Sequence, residues 1–147
     1  MQNISKTVVI HASPEDVYDL IARVEDFVLY SSMIREIRHT SPDTYHWRVQ
    51  IAGFPLEWNA VITERERPRR LAWRTITGMH NAGSYTLAPV EAGTEVSFVM
   101  QYELPELFAE MVLAPVLDPL VQHMETNILE AIKRRLEQQQ ASRNTAR

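Results

Sequence analysis

The spacing of apolar positions changes along this chain, and each change marks a change of predicted structure. Residues 4–11 (ISKTVVIH) are β-branched and partly alternating, which predicts a first strand. Ser13, Pro14, Glu15 and Asp16 follow. A capping serine, a proline at the first helical position and acids in the first turn predict a helix start. Val17, Leu20, Ile21 and Val24 continue it at helical spacing, and Phe27 and Tyr30 carry the apolar face into a second short helix. From Ile34 the period becomes two. Tyr45, Trp47, Val49 and Ile51 alternate with polar residues, as do Leu56, Trp58, Ala60 and Ile62. Leu71, Trp73 and Thr75 repeat the pattern, then Tyr85 and Leu87, then Val96, Phe98, Met100 and Tyr102. Pro42-Asp43, Gly53-Phe54-Pro55, Arg67-Pro68 and Glu91-Ala92-Gly93 lie between these runs as turns. The result is an antiparallel meander with one apolar face.

After Leu104 and Pro105 the helical period returns. Leu107, Phe108, Met111 and Val112 suit a short helical piece, and Asp118-Pro119 predicts a new helix with Asp118 as its cap. Leu120, Met124, Ile128, Ala131 and Leu136 carry that helix to about Gln138. Residues 1–138 therefore read as one domain, and residues 139–147, which lack an apolar anchor, as a flexible tail. A sheet with one apolar face needs a covering layer, and the long final helix is the candidate. The sheet must curl around it.

Composition narrows the function classes. The chain has 147 residues, 45% of them hydrophobic and 23% charged, enough for a core without metal or disulfide staples. It contains no cysteine, which removes disulfides, thiolate metal sites and cysteine nucleophiles together. The net charge of −4 argues against a nucleic-acid partner. Thirteen of the 15 basic residues are Arg, which reads as a compositional habit. The first residues show no signal-peptide pattern and no window approaches 18 apolar residues, so a cytoplasmic protein with no integral membrane segment is expected. His11, His39, His46, His80 and His123 form no metal-binding pair, and with four glycines a phosphate-cradling loop is hard to build. No metal and no cofactor is expected.

Local motifs add a resemblance. They are residues 12–20 (ASPEDVYDL), Glu57-Trp58, residues 70–75 (RLAWRT), residues 81–85 (NAGSY) and residues 93–96 (GTEV). With the order of elements, they resemble the START and birch-pollen-allergen (SRPBCC) superfamily, in its polyketide cyclase/dehydrase branch. The resemblance implies an α+β helix-grip fold: a curved antiparallel sheet of six to seven strands wrapped around a long C-terminal helix, with two short helices after the first strand. It further implies a cavity between sheet and helix that takes a hydrophobic small molecule such as a polyketide, a quinone or a lipid.

By alternation the walls of such a cavity would include Trp47, Val49, Trp58, Ile62, Trp73, Tyr85, Phe98, Met100 and Tyr102. The helix would add Leu117, Leu120, Met124 and Asn127. Inward tryptophans and tyrosines are also ordinary core residues, so each stands between packing and ligand contact. The superfamily's aromatase/cyclases use a pocket arginine and a tyrosine. The matching positions here are Ile62 and Met33, both apolar. Catalytic candidates that could stand in are Tyr30, Tyr85 or His80 as proton donor, with Arg48 or Arg74 if a bulge turns either inward. Strict alternation faces both arginines away from the tryptophans. Cyclase or dehydratase chemistry, a non-catalytic lipid or quinone carrier, and a filled-core interaction module all remain open, and a homodimer is compatible with each. The charged stretch from Glu64 to Arg70 reads as a hairpin tip.

Overall fold

The computed structural model describes residues 1–111 and 113–145; Val112, assigned above to a short helical piece, lies outside the described residues. β1 (Gln2–Ile10) leads into α1 (Pro14–Ile21), where the Ser13 Oγ accepts a 3.2 Å hydrogen bond from the Asp16 N–H. The cap and proline act as the sequence predicts. A 3-10 helix, Val24–Leu29, follows. Six strands then run in succession: β2 (Ile34–Ser41), β3 (Thr44–Ile51), β4 (Phe54–Glu66), β5 (Arg70–Gly78), β6 (Asn81–Val90) and β7 (Gly93–Tyr102). All pairings are antiparallel, and the spatial order is β1-β7-β6-β5-β4-β3-β2. The first strand thus closes the sheet beside the last. Two register shifts between β4 and β5 interrupt the ladder as β-bulges do, one leaving Ile76 of β5 unpaired and the other Thr63 of β4.

α2 (Glu106–Glu110) is short, and α3 (Ala114–Thr145) lies against the concave face of the sheet. Leu117, Val121, Met124, Ile128, Ile132 and Leu136 are buried at intervals of three or four and supply its inward stripe. Opposite them, Ile10, Val96 and Phe98 are fully buried on the sheet. The helix-grip architecture is therefore the one the element order implies.

Two boundaries of α3 differ from expectation. Asp118 does not cap it; the helix begins at Ala114, with the Leu113 carbonyl accepting from the N–H groups of Val116 and Leu117. The Asp118 carboxylate instead accepts a 2.7 Å bond from the Tyr102 hydroxyl, which ties the helix to β7. Pro119 sits inside the helix near its start. At the other end α3 continues to Thr145, past the predicted stop near Gln138. Gln140 and Arg143 both reach Asp16 on α1, at 3.3 Å each, so polar contacts extend the docking where apolar spacing ends. Arg135 adds a further tie, donating to Asp26 and to the Tyr30 hydroxyl.

The charged hairpin tip is paired both within itself and to neighbouring elements. Arg70 bonds Glu64, Arg69 bonds Glu66 and Arg65 bonds Asp43, while Arg67 makes a two-pronged contact with Asp19 on α1 at 2.8 and 2.9 Å. Each arginine has a carboxylate, as a solvated hairpin tip requires.

Candidate functional site

Between the curled sheet and α3 lies a cavity of about 70 Å³. Its sheet wall is aromatic. Trp47 and Trp58, paired across β3 and β4, stack at 5.6 Å between ring centroids with planes 16° apart. Phe27 meets Trp47 and Tyr85 edge-on. Trp73 is fixed by a 2.9 Å hydrogen bond from its indole N–H to the Asn81 side-chain oxygen. Asn81 is itself buried and donates to the Met79 carbonyl, so it sets the orientation of that wall. Met79, Met100 and Met124 contribute three flexible thioethers.

The alternation-based assignments divide here. Trp47, Trp58, Ile62, Trp73, Tyr85, Met100 and Met124 do line the cavity. Val49, Phe98, Tyr102, Leu117, Leu120 and Asn127 do not. Phe98 lies behind the wall, stacked on Trp73 at 6.0 Å, and Tyr102 is committed to Asp118. Asn127 is half-buried at the side of the helical stripe. Arg48 and Arg74 are exposed on the outer face, as strict alternation places them. His80 is exposed as well, and lies in a second, outer cleft of about 850 Å³ beside α2 and the start of α3. Leu56 and Met79 line both spaces, so they form the partition between cleft and cavity.

One lining residue was not foreseen. Glu125 occupies the inward stripe of α3, four residues after Val121, and is only 7% exposed. Burial pushes its carboxyl up to about 8, although the positive charge of Lys6 pulls the other way. Lys6 lies on β1, on the face shared by Ile4, Val8 and Ile10. Burial also raises the Tyr85 hydroxyl well above the usual phenol range, and the neighbouring Glu125 charge adds to the effect. Among the described residues neither group has a hydrogen-bond partner. No enclosed polar side-chain atom among them is stranded, so these oxygens retain open surface, and the cavity is the space both residues line. At neutral pH the site therefore presents two proton donors on facing layers, one from α3 and one from β6. Among the described residues no cluster of three metal-ligating side chains exists, and no helix is long and apolar enough to cross a membrane.

A family model described as polyketide cyclase/dehydrase and lipid transport matches residues 1–137. The chain belongs to this polyketide cyclase/dehydrase and lipid-transport family. No curated protein sequence matches it. Solved structures share the family's architecture. A Thermus thermophilus protein is similar at 20% identity and a TM-score of 0.80, with 92% of this chain and 97% of that one covered. A START superfamily protein from Mycobacterium smegmatis is similar at 17% identity and a TM-score of 0.73, over 92% of this chain and 97% of that one. The Zhui aromatase/cyclase of a Streptomyces species is similar at 16% identity and a TM-score of 0.66, over 91% and 94%. At such identities the likeness is one of fold. Ile62, the position that the sequence resemblance matches to a cyclase arginine, lines the cavity.

Proposed function

We propose that this protein binds a hydrophobic small molecule of the polyketide or quinone kind between sheet and α3. The observation that carries this reading is the pair of unpartnered polar groups, Glu125 and Tyr85, on a largely apolar wall whose Asn81 is already hydrogen-bonded. A core evolved only for packing does not keep a buried carboxyl without a partner, because its desolvation costs stability and an apolar residue of similar size would pack there freely. That consideration weighs against the filled-core interaction module.

Size sets a condition on binding. The cavity is smaller than the ~150 Å³ space that admits a benzene ring, and well below ordinary ligand pockets of roughly 300–1,000 Å³. A bound ligand must therefore displace side chains. The methionines and the Leu56–Met79 partition are the deformable parts, and the outer cleft supplies the route. Cyclase or dehydratase activity is the second reading. It draws on Glu125 and Tyr85 as proton donors, and among the described residues no arginine lies on the wall to stabilise a developing enolate.

Ala60, buried and on the cavity wall, offers a direct test. Ala60→Leu fills the space without adding charge. Titration of tryptophan fluorescence with 2-acetylnaphthalene should give saturable quenching in the wild type and at least tenfold weaker binding in the variant, a loss of about 1.4 kcal/mol. Should Ala60→Leu overpack, Ala60→Val is the milder form and should weaken binding less. Unchanged affinity in a folded variant would place the ligand elsewhere.

A further inference from the structure

Among the described residues, four polar side chains line the sheet–helix cavity. Asn81 is committed to Trp73 and Met79 and Tyr45 to Arg65, which leaves Glu125 and Tyr85 unpartnered, and that pair has a chemical meaning. We propose that Glu125 and Tyr85 form a recognition site for the carbonyl oxygen of an uncharged, planar apolar ligand, with the Glu125 carboxyl donating a hydrogen bond to it. This inference rests on the cavity-binding reading above and adds the chemistry of the ligand's polar end.

Three observations lead to it. Glu125 is more than nine-tenths buried, lines the cavity and has no partner among the described residues, so its donor is free for a ligand. Tyr85 presents a second hydroxyl from the facing layer, and a carbonyl oxygen has two lone pairs with which to accept from both. The stacked Trp47–Trp58 pair and the Trp73 ring form flat walls suited to a planar ring system.

The same arrangement disfavours an acid. A ligand carboxylate would enter a low-dielectric space lined, among the described residues, by no arginine, next to a residue that is itself an acid. A fatty acid or other anion is thus selected against, and a ketone or quinone selected for. Proton occupancy follows from the surroundings. Among the described residues, Lys6 on β1 and Tyr85 on β6 interact with Glu125, Tyr45 on β3 lines the same cavity, and Tyr30 acts on Tyr85 from the turn after the 3-10 helix. Asp26 and Asp16 meet α3 farther along, at Arg135 and at Gln140 and Arg143. With burial outweighing Lys6, Glu125 keeps its proton to about pH 8. Above that, the donor becomes a charge that repels the carbonyl.

Three probes with one ring system separate these effects: 2-acetylnaphthalene, 2-ethylnaphthalene and 2-naphthoate. At pH 6.5 the ketone should bind the wild type about tenfold more tightly than either of the others. Raising the pH to 9.5 should weaken ketone binding roughly thirtyfold, the factor expected when only the protonated form is competent. Binding of 2-ethylnaphthalene should not follow that curve. Glu125→Gln keeps an N–H donor and should bind the ketone with no such pH dependence, while Tyr85→Phe should weaken the ketone and leave the pH dependence in place. Equal affinity for ketone and hydrocarbon, naphthoate binding as tight as ketone, or a flat wild-type pH profile would each overturn the proposal while leaving the cavity reading intact. If none of the three probes binds, the cavity reading falls, and this inference with it.

Discussion

Between about pH 5 and pH 8 the wild-type protein is expected to lose stability that Glu125→Gln retains. The folded state holds the Glu125 proton up to about 8, whereas an unfolded carboxyl releases it near 4.5. Across that interval the folded state binds more protons than the unfolded one, so rising pH favours unfolding by up to roughly 1.4 kcal/mol per pH unit. The contribution is fully present below the unfolded value and gone once pH has passed the folded one. The whole effect is a few kcal/mol, a large share of a typical domain's ~5–15 kcal/mol. Urea unfolding of both proteins at pH 5, 6.5 and 8 measures it. The difference between the two curves isolates Glu125 from every group common to both proteins. Parallel curves would mean that Glu125 is not held neutral by the fold.

The second large effect is expected at the partition between cleft and cavity. Gly78 ends β5 with φ at +87°, and a Cβ there would press into the Glu57 carbonyl and lie 2.6 Å from the Trp58 Cα. Gly78→Ala combines left-handed strain with a clash against backbone, so it should cost about 3 kcal/mol or more. It should also shift Trp58 and Met79, the wall and gate beside it. Gly53 provides the control. Its φ of +84° is nearly the same, yet a Cβ there meets nothing within 4 Å. Gly53→Ala should cost only about 1 kcal/mol, the conformational part alone. Chemical denaturation of the two variants reads the difference, and equal losses would remove the close backbone approach at Gly78 from the account.

Much of the fold is legible in the sequence because alternation and burial coincide. In β3 the residues Tyr45, Val49 and Ile51 are buried while Arg48 and Gln50 are exposed, and in β7 Val96, Phe98, Met100 and Tyr102 all face inward. Period two therefore identifies the inward face, but not who reaches the cavity. Phe98 and Tyr102 share the face of Met100 and still miss the cavity, because stacking on Trp73 and bonding to Asp118 hold them elsewhere. The start of α3 is misread because Asp118-Pro119 has the form of a cap while Asp118 is bound to a distant tyrosine. Its end is misread because Gln140 and Arg143 dock through Asp16, a contact that hydrophobic spacing does not register.

Glu125 is the instructive omission. A glutamate on a long helix ordinarily belongs to the solvated face. The available signal is its phase: it falls four after Val121 and eight after Leu117, on the buried stripe, whereas Asn127 falls beside it. A charged residue in phase with the core is a stronger pointer to a site than a polar one at its margin.

The central claim is that a ligand enters between sheet and α3, and the methionines report on that directly. The chain has six; Met79, Met100 and Met124 line the cavity, while Met1, Met33 and Met111 do not. In protein carrying ¹³C-methyl methionine, adding 2-acetylnaphthalene at pH 6.5 should shift the three cavity methyl signals and leave the other three in place. Shifts confined to Met1 and Met111, or no shifts at ligand saturation, would contradict the account.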